Sequence, residues 1–228
     1  MNTLIHNKQI VTVIIAMYNG AETIESTINS ILGQSYKFIN ILICDDFSSD
    51  DSINKIVGIN NSQITLLKNK KNLGLSKTRK KLLSSVRTKY IAFIDQDDTW
   101  KHNKIEKQIE LIEQENCAMC HTYYNFLIGS LNTKKTIKSK SKIFYKDLLS
   151  GIHPGASTVL INTDFFSDLS SFCDDRYLDS INDYVIWLDL FRNSDNYSIC
   201  IEEPMMNYLF HGNNLSANKL KQLYKHYF

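Results

Sequence analysis

No stretch of the chain holds the roughly 18 consecutive apolar residues that a membrane helix needs. The apolar run near the N-terminus, Ile10 to Met17 with Thr12 inside it, is too short for a signal peptide with its cleavage site. The expectation is a protein made and kept in the cytoplasm. Charge of one sign is also missing: a net +2 over 228 residues argues against nucleic acid as the main partner. Two prolines and eight glycines leave little material for flexible linkers, and a single domain over 1–228 is expected. The cysteines number five, an odd count that fits reduced thiols better than a disulfide framework. Cys117-Ala-Met-Cys120-His121 spells the C-x-x-C-H of covalent haem attachment. That chemistry requires export, and there is no second cysteine pair to complete a zinc site. Read as a strand, the segment sends the two thiols to opposite faces. Core thiols are expected.

What is present alternates. IVTVIIA (10–16), INILIC (39–44), QITLLKN (63–69) and KYIAFI (89–94) are buried-strand runs. Between them lie helical patterns: Ala21, Ile24, Ile28, Ile31 and Leu32; a serine-rich start at 48 leading to 59; and Gly74 to Val86 carrying Arg79. Repeated strand–helix units imply a parallel sheet covered on both faces. Ligands of such sheets sit beyond the carboxyl ends of the strands, where MYNG, DDFSSDD and DQDD fall. The second half is less regular. GSLNTKKTIKSKSK (129–142) holds five lysines and no acid and reads as a solvated loop, or as a lid or membrane-facing patch. A short helix is expected near YKDLL, a strand at STVLI (157–161), a helix from about Asn182 to Phe191, and closing strands at YSICIEE and MNYLF.

Three acids directly behind a buried strand, Asp95, Asp97 and Asp98, admit three readings. DQDDT matches the D-x-D-x-T nucleophile motif of haloacid-dehalogenase-like phosphatases, although in that family the strand normally comes first in the chain. Asp98 or Thr99 could cap a helix starting near Trp100, which accounts for one acid and not three. The third reading is a D-x-D site, in which hard carboxylate oxygens bind Mg²⁺ or Mn²⁺ and, through it, a diphosphate.

VTVIIAMYNGAETIESTINSILGQSY, ILICDDFSSDDS, NLGLSKTRKKLL and YIAFIDQDDTW, in this order and spacing, resemble the family 2 glycosyltransferases of GT-A fold, especially those building bacterial O-antigen or capsule. The likeness is close over residues 10–115 and looser beyond. It implies an α/β fold with a Rossmann-like nucleotide-sugar-binding half (about 10–115) and a smaller acceptor half (about 116–228). By the same resemblance Tyr18 stacks on the base, and Asp45, with Asp46 beside it, accepts a hydrogen bond from base or ribose. Arg79 faces the nucleotide, and Asp95 contacts ribose or a metal-bound water. Asp97 holds Mn²⁺ or Mg²⁺, and Asp98 contacts the sugar or supports from behind. Asp183, in Asn182-Asp183-Tyr184, is the base of an inverting transfer, with Asp179 as substitute, and Asn182 departs from the usual Glu. His211 of YLFHGNNLS adds a metal or diphosphate ligand, and HPGAS (153–157) approaches the donor sugar. Trp187 is read as core. The other departures are Ala16 for proline and Phe47 for the glycine of DDGS. The implied partners are a UDP- or dTDP-linked sugar and a glycan or lipid-linked oligosaccharide acceptor. The tail 218–228 could touch the cytoplasmic face of the inner membrane. The chain ends soon after His211, so a further acceptor or membrane segment is expected to be missing. A protein that binds a sugar nucleotide without transferring the sugar stays open as an alternative.

Overall fold

A computed structural model of the chain describes residues 10–128, 134–166, 182–192 and 195–210. The β-branched run Val11–Met17 forms β1, which pairs in parallel with β2 (Ile39–Asp45) on one side and β4 (Tyr90–Phe93) on the other. β3 (Ile64–Lys68) adds in parallel outside β2. Helices α1 (Ile24–Leu32), α2 (Ser52–Ile59) and α3 (Leu75–Ser85) make the crossovers. The strand order 3-2-1-4 reverses direction at β1. That reversal opens the crevice where open α/β sheets bind ligands.

Beyond β4 the sheet turns mixed. β9 (Leu160–Asn162) runs antiparallel to β4 and to β6 (Met119–Ile128), and β10 (Tyr197–Phe210) is parallel to β6. A two-residue β5 (Thr99–Trp100) pairs antiparallel with β10. The edge strands β7 (Lys134–Ile137) and β8 (Lys142–Phe144) join β6 and β10. α4 (Lys104–Glu115), α5 (Tyr145–Leu149) and α6 (Asn182–Phe191) complete the elements. The buried side chains form two cores, one on each face of the sheet. Val13, Ile15, Tyr90 and Ala92 pack with α1 and α4, while Ile14, Ile91 and Phe93 pack with α3 and α6. This is the period-2 alternation of strands buried on both faces.

Four expectations need correction. The helix after the acids begins at Lys104 with Asn103 before it, so neither Asp98 nor Thr99 caps it, and Thr99 is drawn into β5 instead. Part of the lysine-rich segment is a strand, β7, whose lysines suit a sheet edge that must not recruit another chain. YSICIEE and MNYLF are one strand, β10, with register shifts at Pro204. Cys117 lies in the turn before β6, so alternation does not apply to it, and both it and Cys120 enter the same core.

Lys104 is fully buried. Its ammonium donates to Gln108 Oε1 at 2.7 Å and lies 4.2 Å from the centre of the Trp100 ring. Burial pulls its pKa down from 10.5 to about 7, opposed weakly by Cys120. Between those two values the unfolded chain binds more protons than the folded one, so this group makes stability rise with pH through that window. We expect urea titrations at pH 7 and pH 9 to show a gain for the wild type that Lys104→Met lacks. The difference should be on the order of 1 kcal/mol per pH unit.

Candidate active site at the carboxyl ends of β1, β2 and β4

The loop after β1 is stitched to the loop after β2. Asn19 N–H donates to Ser48 Oγ (2.9 Å), Gly20 N–H to Ser52 Oγ (2.8 Å), Ala21 N–H to Asp50 Oδ2 (2.9 Å) and Ser49 N–H to Asn19 Oδ1 (2.9 Å). From the other side Gln96 grips the Tyr18 backbone: its Oε1 accepts the Tyr18 N–H at 2.8 Å and its Nε2 donates to the Tyr18 carbonyl at 3.0 Å. A side chain on Gly20 would bring a Cβ within 2.8 Å of Gln96 Oε1, so glycine is needed there for this grip. The Tyr18 ring, held at its backbone, stays 47% exposed and is free to stack on a planar group. Gln96 reads in sequence as a spacer between two acids, and no local pattern announces its role.

Asp45 ends β2, buried, and accepts the Ser48 N–H at 3.2 Å. Asp46, expected beside it as a nucleotide contact, is turned inward instead. Its Oδ1 accepts from Asn69 Nδ2 and the Leu73 N–H, and its Oδ2 from the Gly74 N–H, all at 2.8 Å. Asp46 therefore positions the start of α3, from which the buried Arg79 reaches Asp95 Oδ1 at 2.6 Å. Phe47 sits where the resembling motif has glycine, at φ 71° and 58% exposed. A left-handed backbone costs an L-residue about 1–2 kcal/mol, more than glycine loses in chain entropy. Phe47→Gly should raise stability by about 0.5–1 kcal/mol in urea unfolding.

The acidic loop follows β4. Asp95 donates its N–H to Ser157 Oγ (3.0 Å), and Asp98 donates its N–H to the Asp95 carbonyl (3.2 Å). The Asp95 side chain is 45% exposed. The protein packed around it pushes its pKa above the ordinary value; Arg79 pulls it down, and Asp97 and Asp183 push it further up. The charge of Asp183 thus reaches Asp95 although α6 lies far along the chain. Asp183 itself stands in the first turn of α6 and accepts the Tyr184 N–H at 2.9 Å.

Of the two roles expected for Asp98, its complete burial fits support from behind the site and not direct contact with a donor sugar. Its pKa is raised well above the carboxylate range by burial and then by Asp95 and Asp97, with Ser157 and the Leu209 N–H easing it from the side. His211, Asp179 and the tail 218–228 lie outside the described residues. Trp187 is fully buried, as core.

Among the described residues no three His, Cys, Asp or Glu side chains form a metal cage by themselves. The donor set nonetheless fits a hard divalent cation. Such an ion needs one or two carboxylates and completes its shell with substrate phosphates and water, and Asp95 and Asp97 sit together within electrostatic reach of Asp183.

The model of glycosyl transferase family 2 matches residues 12–166. The UDP-Glc:alpha-D-GlcNAc-diphosphoundecaprenol beta-1,3-glucosyltransferase WfaP of Escherichia coli is 33% identical over 94% of this chain and 83% of its own. Residues 1–349 of S. aureus TarS, solved with UDP-GlcNAc, superimpose with TM-score 0.75 at 14% identity, covering 91% of this chain. The mannosyltransferase PcManGT of Pyrobaculum calidifontis, solved with GDP-Man and Mn²⁺, gives TM-score 0.72 at 12% identity over 95% of this chain. This chain spans 60% and 61% of the length of those two solved chains. The likeness bears out the GT-A fold.

Proposed function

The chain belongs to glycosyl transferase family 2, and from that premise we propose that it moves a hexose or deoxyhexose from a UDP- or dTDP-linked donor to a hydroxyl of a glycan or lipid-linked oligosaccharide, with inversion. What supports this reading is the placement of Asp95 and Asp97 in the loop after β4, beside the switch point of the sheet, with the charge of Asp183 on α6 reaching Asp95. The donor lies across the carboxyl ends of β1, β2 and β4. Tyr18 stacks on the base, and Asp45 accepts from base or ribose. Arg79 holds Asp95 in place and offsets part of its charge. Asp183 takes the proton from the acceptor hydroxyl as that oxygen attacks the anomeric carbon opposite the departing diphosphate. Asp97 and Asp95 would hold Mn²⁺ or Mg²⁺, which when bound would stabilise the charge on the leaving group.

WfaP's lipid diphosphate acceptor makes a surface polysaccharide the fitting product class here. Among the described residues no helix is long and apolar enough to cross a membrane; the enzyme works in the cytoplasm, touching the inner face of the membrane to reach such an acceptor. The phosphatase reading needs the acidic strand first in the chain, whereas β4 follows three strand–helix units and the family match covers all of them.

The test is incubation with UDP-glucose and a GlcNAc-diphosphopolyprenol acceptor, with the anomeric configuration of the product read by NMR. A β-linked product is expected. An α-linked product, or release of inorganic phosphate from simple esters, would contradict the reading.

A further inference from the structure

The chain has two tryptophans, and both aim their indole N–H at one short segment. Trp187 Nε1 donates to the Pro154 carbonyl at 3.0 Å, and Trp100 Nε1 donates to the Ser157 carbonyl at 2.8 Å. Trp100 belongs to the core on the α1 and α4 face of the sheet, and Trp187 to the core on the α3 and α6 face. The segment between these carbonyls therefore ties one core to the other at the end of β4. Three peptide units reach at most about 11 Å, so the span admits little variation.

The segment is braced within itself. Thr158 sends its N–H (3.0 Å) and its hydroxyl (2.7 Å) to the Gly155 carbonyl, and Gln108 Nε2 donates to the Thr158 carbonyl at 2.9 Å. Each acid of the site hangs close to one of its ends. Trp187 lies one helical turn after Asp183 on the same face of α6, with its ring edge-on to Phe93 at 5.4 Å. Trp100 closes the loop that carries Asp97 and Asp98. Ser157 Oγ also receives the Asp95 N–H directly. Tyr184 fastens α6 to α5 as well, its hydroxyl donating to the Leu148 carbonyl at 2.8 Å.

We propose that Pro154–Ser157 is a strut that sets the distance between Asp183 and the Asp95–Asp97 pair, with Trp187, Trp100 and Ser157 as its positioning residues. This rests on the transferase reading above. Transfer needs the acceptor oxygen aligned within about 3–3.5 Å of the anomeric carbon, and a displacement of about 1 Å costs on the order of 10²-fold. Binding of the nucleotide needs only one side of the strut, whereas the reaction needs both.

The test compares Trp187→Phe, Ile186→Val and Asp183→Asn with the wild type for kcat, donor affinity and thermal midpoint. Trp187→Phe keeps a ring against Phe93 and loses the N–H. Its kcat should fall about 10- to 100-fold with donor affinity within about twofold. Ile186→Val, a neighbouring core trim, should lower the midpoint and keep kcat. Replacing both tryptophans by β-(3-benzothienyl)alanine, which keeps the shape and puts sulfur in place of N–H, repeats the test if the phenylalanine variant does not fold. An unchanged kcat in the N–H-deleted proteins, or a joint fall of kcat, donor affinity and midpoint, would overturn the strut. If Asp183→Asn is inactive while Trp187→Phe matches the wild type, only the strut fails. If Asp183→Asn transfers normally, the transferase reading fails, and the strut with it.

Discussion

Asp183→Asn should lower transfer by about 10²- to 10⁴-fold, the range a positioned base contributes, while donor affinity stays within about twofold. Asparagine is nearly the same shape and can still accept the Tyr184 N–H that Asp183 accepts at 2.9 Å, so α6 keeps its first turn. What it cannot do is take a proton from a hydroxyl. Asp183 lies close enough to Asp95 to raise that carboxyl's pKa, yet it belongs to a different element and a different half of the chain. An acid placed to bind the nucleotide would lose affinity when neutralised; an acid placed to serve the acceptor would lose rate. A steady-state assay beside a binding titration separates the two. Unchanged turnover would favour a protein that binds a sugar nucleotide without transferring the sugar.

Asp97→Asn should lower transfer by about 10²- to 10³-fold, the share expected of charge stabilisation on the leaving diphosphate, and should remove the metal dependence of nucleotide binding. The electrostatics of the loop explain the direction. Asp97 raises the pKa of both Asp95 and Asp98, so the loop is strained by like charge, and Arg79 offsets only part of it. Neutralising Asp97 relieves that repulsion. The variant should therefore be no less stable than the wild type while losing function, a combination typical of a site that trades stability for activity. Thermal unfolding and titration of UDP in the presence and absence of Mn²⁺ check both halves of the statement.

The sequence makes some of this legible and hides the rest, for physical reasons. β1 to β4 and the helices between them are written locally, as buried runs bounded by polar turns. The ends of these four strands agree with the reading to within a residue or two, as β2 at Ile39–Asp45 shows, and the late helix α6 at Asn182–Phe191 has its expected span. Tyr18, Asp45, Arg79, Asp95, Asp97 and Asp183 are named as candidates through the resemblance to family 2 glycosyltransferases, whose motifs carry them. Pairings made across the chain could not be read. β5 exists only because Thr99 and Trp100 meet Asn207 and Met206, and β7 looks like a solvated lysine run until it lies along β6. The inward turn of Asp46 depends on Asn69, Leu73 and Gly74 arriving from another loop. The grip of Gln96 on Tyr18 and the bond of Ser157, the last residue of HPGAS, to Asp95 are hidden for the same reason. Gln96 and Ser157 are ordinary polar residues whose partners, Tyr18 and Asp95, lie far away in sequence.

The central claim is a nucleotide-sugar site completed by a divalent cation. Its most direct test is calorimetric titration of the folded protein with UDP, dTDP and GDP, first with Mn²⁺ and then with EDTA. The account predicts that UDP or dTDP binds with Mn²⁺ and that EDTA abolishes or sharply weakens that binding. Absence of binding by all three nucleotides in the presence of Mn²⁺ would contradict it.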